Sequence, residues 1–239
     1  MSTAGLRQNL GDLTDLFLPP TEWIGQRAVE QADWAPDPPG SYCPRCGATC
    51  GPAAITLSGC AFCRDRHVPW HGVWRLGAYR EPLAGWVRQF KFSRSWAWGE
   101  WFGRALAERA PDTRPAVVVP VPLHWRRRLW RGYDQAMLMA RSFAAAQDLR
   151  VARVIYRQRP TRHQTRLASR AARRANIRRA FAARPVDLSG WTVWLMDDVT
   201  TSGTTAAACT RLLKGLGAER VNLAVAAVAD PPGRGPRGH

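Results

Sequence analysis

Residues 191–205 read WTVWLMDDVTTSGTT. Six residues with few polar groups, Trp191 to Met196, predict a strand. Two adjacent carboxylates, Asp197 and Asp198, close it, and a hydroxyl-rich loop containing Gly203 follows. An apolar run of this kind suits a strand covered on both faces, as in a parallel sheet. Ligands of open α/β sheets bind outside the carboxyl ends of the strands, where these acids stand. Neighbouring strand residues face opposite sides, but where the backbone turns at a strand's end both carboxylates reach the mouth. Carboxylates accept hydrogen bonds, which suits sugar hydroxyls or a hydrated magnesium ion. The loop Thr200, Thr201, Ser202, Gly203, Thr204, Thr205 opens a helix, whose unpaired N–H groups and dipole favour an anion. Gly203 allows the positive φ or close approach that a phosphate nest needs. A plain strand end followed by a Ser or Thr helix cap would account for one hydroxyl, but not for the acids, the hydroxyls and the glycine together. The combination suits a ligand carrying both a diol and a phosphate.

The flanking sequence supplies a matching frame. Strands are predicted at AVVVPVPL (116–123), VARVIY (151–156) and RVNLAVAAV (220–228). Helical spacing appears in Leu83, Trp86, Val87 and Phe90, in Trp98, Trp101, Phe102, Ala105 and Leu106, in Ala136, Met137, Ala140 and Phe143, and over 204–216. Strands alternating with helices mean an α/β protein with a parallel sheet flanked by helices. Residues 1–40 are read as an N-terminal helix, stopped by Pro19 and Pro20, and then an irregular linker over 21–40. Residues 41–72 form a cysteine-bearing unit, 73–230 the α/β domain, and 231–239 a tail expected to be disordered.

The chain has 239 residues, 46% of them apolar and 10% aromatic, which argues for a folded protein. No apolar run approaches the roughly 20 residues that span a bilayer, and the first residues lack a basic start followed by an apolar stretch. A cytoplasmic protein without membrane insertion is expected. The formal charge is +17, and Lys91 and Lys214 are the only lysines. Such charge invites a nucleic-acid partner, although an arginine-heavy composition also follows from GC-rich codons. Cys43-Pro44-Arg45-Cys46 and Cys60-Ala61-Phe62-Cys63 are separated by thirteen residues, a spacing that predicts a closed, structural zinc site. Cys209 reads as a buried helix residue, and His67 and His71 as substitute ligands only if a cysteine pair fails.

The stretch from Trp194 to Thr205 resembles the signature of type I phosphoribosyltransferases, with Val199 in the apolar place and Thr200 in the variable one. Three further stretches narrow the resemblance: the cysteine set; Pro120-Val121-Pro122 with Arg131-Gly132-Tyr133-Asp134-Gln135; and Thr161, Gln164, Leu167, Arg173, Asn176 and Phe181 in step. Together with the segment from Tyr79 to Lys91-Phe92, these are similar to the ComF family, the competence-associated phosphoribosyltransferase-like proteins that include the GntX group. The family commonly has Asn where Asp134 stands, and its cysteines follow the Phe-Pro segment more closely.

The resemblance implies a type I phosphoribosyltransferase-like fold with an N-terminal four-cysteine zinc ribbon. It implies that Asp197 and Asp198 hold the ribose hydroxyls of phosphoribosyl pyrophosphate and that the loop 199–205 holds its 5-phosphate. Leu123, Gly132, Gln135 and Arg131 would serve the pyrophosphate side with Mg2+, with Arg127 and Arg128 as further candidates. Thr161, Gln164 and Arg173 would belong to a lid over 157–179. The expected chemistry is displacement of pyrophosphate at C1 of the ribose by a nitrogen acceptor, linked to DNA uptake. A different reading is a non-catalytic module that senses phosphoribosyl pyrophosphate or a nucleotide and binds single-stranded DNA or a competence helicase. Trp96, Trp98 and Trp101 interleave with Arg88, Lys91 and Arg94, as stacking on single strands would need. The helical spacing of Trp98 and Trp101 instead assigns those two to the core.

Overall fold

Residues 220–228 alternate between two faces that are both apolar, so this run is stable only with cover on both sides. In the computed structural model every one of them except Arg220 is buried. The structure describes residues 21–56, 58–93, 95–123, 132–158 and 180–230, with only the backbone of 21–24 and 52. In chain order the elements are helix α1 (Thr21–Gln31), short strands β1 (Ile55–Thr56) and β2 (Gly59–Cys60), strand β3 (Gly72–Ala78), helices α2 (Leu83–Phe92) and α3 (Ala97–Ala107), strand β4 (Ala116–Pro120), helix α4 (Gln135–Ala146), strands β5 (Arg150–Val151), β6 (Ile155–Arg157), β7 (Phe181–Ala183) and β8 (Thr192–Thr200), helix α5 (Thr204–Gly215) and strand β9 (Arg220–Val228).

Five strands form one sheet in the order β3–β9–β8–β4–β5. Every pairing in it is parallel. From β4 the chain passes through α4 to β5 on one side, whereas β8 lies on the other side of β4. The crevice between β4 and β8 is therefore the point where the strand order reverses, the place at which open parallel sheets bind ligands.

Strand periodicity divides the core. Trp194 and Met196 of β8 face a cluster built with Phe90 of α2, Phe102 of α3 and Phe143 of α4. Val193 and Leu195 face the opposite cluster, with Cys209 and Leu213 of α5. Helices α3 and α4 touch closely because Gly103 has no side chain: a Cβ there would stand 2.5 Å from the Met139 carbonyl oxygen. Trp98 is buried and stacks on Trp86 with ring centroids 4.9 Å apart, which makes it a core residue.

Four expectations need correction. Residues 21–31 are helical, not irregular: Val29 of α1 is buried in the core and Gln26 accepts a hydrogen bond from Trp101 Nε1. The strand expected over 151–156 is two short strands, because β5 joins the sheet while β6 pairs antiparallel with β7. The edge strand β3 is an addition. Its buried Arg75 and its two glycines interrupt the apolar pattern that would have marked it. Finally, β8 does not stop at Met196 but runs on to Thr200, paired with Val228.

The cysteine-bearing unit is fastened to β3 and the end of β9. Arg75, fully buried, donates through Nη1 to the Gly47 carbonyl at 2.7 Å and through Nη2 to Asp37 at 2.6 Å and Thr49 Oγ1 at 3.0 Å. Thr49 in turn donates from N and Oγ1 to the Asp230 carboxylate, both at 2.8 Å. A buried guanidinium is tolerated because carboxylates and carbonyls surround it.

Candidate functional site

The extra length of β8 shapes the site. Its pairing with β4 ends at Met196–Pro120, while its pairing with β9 continues to Thr200–Val228. Among the described residues, Asp197 and Asp198 thus lie in a strand with one edge unpaired, beside the point where β4 stops. Period-two geometry sends Asp197 to the α5 side and Asp198 to the side of α2–α4. The acids do not turn together into a mouth, as a strand ending at Met196 would allow; they flank that edge of the strand. Each carboxylate accepts the next residue's N–H: Asp198 N donates to Asp197 Oδ1 at 2.9 Å, and Val199 N to Asp198 Oδ1 at 2.6 Å.

Lys91, at the end of α2, donates to Asp198 Oδ1 at 3.2 Å, and both side chains are mostly buried. Burial, and then the neighbouring Asp198 charge, push the Asp197 carboxyl well above the usual carboxylate range, while the Asp198 N–H and Lys91 pull the other way. The Asp197 carboxyl is thereby favoured in its protonated form. Sequence reasoning grouped Lys91 with a family motif and with the cations of a single-strand-binding face, and gave it no role beside the acids. The signal was its rarity, one of two lysines among 35 basic residues. Tyr133 of the Arg-Gly-Tyr-Asp-Gln motif steadies this corner by donating from its hydroxyl to the Phe90 carbonyl, one residue before Lys91.

After β8 the chain makes bends at Thr201 and Ser202, both exposed, and enters α5 through Gly203 at φ 67°, ψ 6°. That left-handed conformation favours glycine. No side chain caps α5. Ser202 and Thr204 pair hydroxyl to hydroxyl at 2.9 Å instead. A Ser or Thr cap is therefore not what the hydroxyls supply. Thr204 and Thr205 are half-buried in the first turn, whose N–H groups have no intrahelical acceptor. Val199 packs against the core and Thr200 is a buried strand residue, so both lie under the site rather than in its loop.

Leu123 follows β4 and is half-buried, and Gly132 is exposed. Gln135 is buried in the first turn of α4, and Asp134 caps that helix by accepting the Met137 N–H at 3.2 Å. Asn and Asp serve equally as caps, so Asp134 keeps the function open to the family's usual Asn. Arg127, Arg128, Arg131, Thr161, Gln164, Arg173 and Arg94 lie outside the described residues. The segment 159–179 is bounded by the β6–β7 pair. A cleft of about 760 Å³ between α1 and α3 contains none of these acids or loop residues.

Cys43, Cys46, Cys60 and Cys63 form a cluster whose sulfurs all lie within 4.8 Å of one another. The Sγ separations are 3.7 Å for Cys43–Cys63, 3.7 Å for Cys46–Cys60 and 3.9 Å for Cys60–Cys63. Tetrahedral zinc thiolate bonds of about 2.3 Å set sulfurs roughly 3.8 Å apart, so the donor set fits a metal ion such as zinc. His71 is used otherwise: its Nδ1 accepts the Val221 N–H at 3.0 Å. Cys209 is fully buried in α5, as its helical position implied. Among the described residues no helix is long and apolar enough to cross a membrane.

No family model matches the chain. Curated relatives do. DNA utilization protein YhgH of Salmonella typhimurium is 32% identical over 195 residues, covering 77% of this chain and 82% of the relative. The protein of the same name from Escherichia coli K12 is 30% identical over 192 residues, with 77% and 82% covered. Competence protein F of Haemophilus influenzae is 29% identical over 196 residues, with 76% and 82% covered. Among solved structures, a purine phosphoribosyltransferase from Pyrococcus horikoshii overlaps 70% of this chain and 99% of its own, at TM-score 0.32 and 13% identity. Glutamine phosphoribosylpyrophosphate amidotransferase of B. subtilis overlaps 53% of this chain and 25% of its own, at TM-score 0.37 and 18% identity. These structural overlaps are partial, and the architecture stands on the strand order given above.

Proposed function

The chain belongs to the family of competence protein F and the DNA utilization proteins, and from that premise we propose that it binds phosphoribosyl pyrophosphate at the β4–β8 crevice and transfers its phosphoribosyl group to a nitrogen acceptor in the service of DNA uptake. One observation carries the reading: an uncapped helix start led by left-handed Gly203 stands directly after two acids at the sheet's reversal point. Asp197 and Asp198 accept the ribose 2′- and 3′-hydroxyls. The first-turn N–H groups of α5, with Thr201, Ser202, Thr204 and Thr205, receive the 5-phosphate. Lys91 sets a positive charge beside the two acids and offsets part of their mutual repulsion. Magnesium, when bound with the ligand, offsets the charge of the pyrophosphate, and Arg131 adds donors to it. In the transfer, the acceptor nitrogen bonds to C1 as the C1–oxygen bond breaks and pyrophosphate leaves. Zinc in the four-cysteine cluster orders the ribbon and takes no part in the reaction.

Exposed Phe92 and Trp96 at the α2–α3 corner favour a second role, stacking of single-stranded DNA beside the site. Calorimetric titration of phosphoribosyl pyrophosphate with magnesium tests the main reading. Wild type binds, and Asp197→Asn/Asp198→Asn loses about a hundredfold or more in affinity. A folded, zinc-loaded wild type that does not bind sinks the substrate assignment. Binding of a short oligonucleotide by that same protein would move DNA to first place.

A further inference from the structure

Trp70 joins two sites that stand far apart in the sequence. It precedes β3 and is half-buried against the α5-side core. Its indole Nε1 donates to the Arg45 carbonyl at 2.8 Å. Arg45 lies between two metal-binding cysteines, Cys43 and Cys46. Its guanidinium donates to the carbonyls of Ser58, Cys63 (3.0 Å) and Arg66 (2.8 Å), so it ties the first cysteine knuckle to the second. The adjacent Pro44 carbonyl accepts the Val73 N–H at 2.8 Å and fastens that knuckle to β3. At the other end of the indole, the ring edge rests on the loop after β8. A Cβ on Gly203 would stand 2.8 Å from Trp70 Cη2. One rigid side chain therefore has its polar edge held by the metal knuckle and its apolar edge set against the glycine that leads into α5.

We propose that Trp70 is a positioning residue that couples the four-cysteine metal site to the anion loop, so that the metal state of the ribbon sets how well the loop is preformed for a phosphate. The direction of N–H groups at the start of α5 depends on the Gly203 backbone, and Gly203 has no side chain of its own to restrain it. A wall behind it supplies the restraint. A loop ordered before binding loses less freedom on binding. Metal loss frees the knuckles, because structural metal sites order segments too small to fold alone. The Arg45 carbonyl then no longer holds the indole in place. The coupling is read from this geometry alone; the choice of ligand rests on the phosphoribosyl reading above.

The test is hydrogen exchange of the amides of 201–206 in the full chain, with those of β9 as internal reference and zinc content measured in parallel. Zinc-loaded Trp70→Ala exchanges this loop about tenfold faster than wild type, as does wild type after zinc removal, while β9 stays protected. Trp70→Phe keeps the ring and loses the N–H, and gives a smaller increase. Unchanged loop exchange in zinc-loaded Trp70→Ala overturns the proposal. If that variant does not fold, unchanged loop exchange on zinc removal from wild type overturns it instead. Titration with phosphoribosyl pyrophosphate and magnesium separates the two readings. Weakening by about tenfold in Trp70→Ala supports both. A coupled loop in a wild type that binds no phosphoribosyl pyrophosphate rejects the ligand and leaves the coupling intact.

Discussion

Helices α4 and α5 each follow a strand that borders the crevice, and their first turns are built in opposite ways. At α4, Asp134 is extended at φ −107°, ψ 106° and folds its carboxylate onto the Met137 N–H. At α5, Gly203 brings no side chain and so makes no side-chain cap. A helix start has orphan donors in either case. In α4 an internal acid uses one of them for stability, and its charge repels an anion. In α5 no cap side chain uses them, and the loop residues Thr201 and Ser202 before the helix stay exposed. On the proposed reading, two helices of the same length, at the same end of the same sheet, divide the labour of folding and binding.

The contrast can be broken most forcefully at Gly203. Gly203→Ala puts a Cβ 2.8 Å from Trp70 Cη2 on a backbone at φ 67°. The left-handed conformation costs a non-glycine residue about 1 kcal/mol, and relieving the contact moves the loop. Calorimetry should show affinity for magnesium and phosphoribosyl pyrophosphate reduced by about a hundredfold. Affinity within twofold of wild type would mean the α5 start is no better suited to a phosphate than the α4 start.

The acids sharpen it next. Burial and Asp198 push the Asp197 carboxyl up to about 8. Its native state therefore holds a proton that the unfolded chain releases near pH 4. This group's contribution to the stability of the ligand-free protein falls as pH rises from about 4 to about 8. Affinity for the magnesium-bound ligand moves oppositely, rising with pH as the second acid ionises. Lys91→Met removes the cation beside Asp198, and the rise should shift to higher pH by about one unit. Titrations at several pH values check this; an unchanged profile would remove Lys91 from the site.

The smallest effect belongs to α4. Asp134→Ala should cost about 1 kcal/mol in thermal or denaturant unfolding, with ligand affinity unchanged. Asp134→Asn should leave stability within a few tenths of a kcal/mol. A large loss of affinity in Asp134→Asn would place this residue in the binding site rather than under it.

Much of the fold was legible in the chain itself. The acid pair, the glycine and the hydroxyls gave rise to the expectation of an anion and a diol, because each residue type has a narrow chemical use, and the structure places them together after β8. The cysteine spacing announced a metal site for the same reason, and the sulfurs converge as expected. Helical and strand periods placed α2, α3, α4, β9 and the buried tryptophans. Other features depended on partners remote in sequence. Residues 21–31 looked irregular because their helix is supported by contact with α3, not by a strong pattern of their own. The interrupted strand β3 is held by pairing with β9.

The sequence alone determined which groups are available: two carboxylates, a glycine-led helix start, four thiols at metal spacing, and apolar runs that require a covered parallel sheet. Only the tertiary structure decided how they are used. The end of β8 is set by β9, more than twenty residues later, and that pairing keeps the two acids on opposite sides of a strand. Lys91 reaches Asp198 across the fold, and Trp70 reaches both Arg45 and Gly203. Local propensity and residue chemistry act over a few residues and can be read along the chain. Register, charge pairing and packing arise when distant segments meet, and their energies exist only in that arrangement.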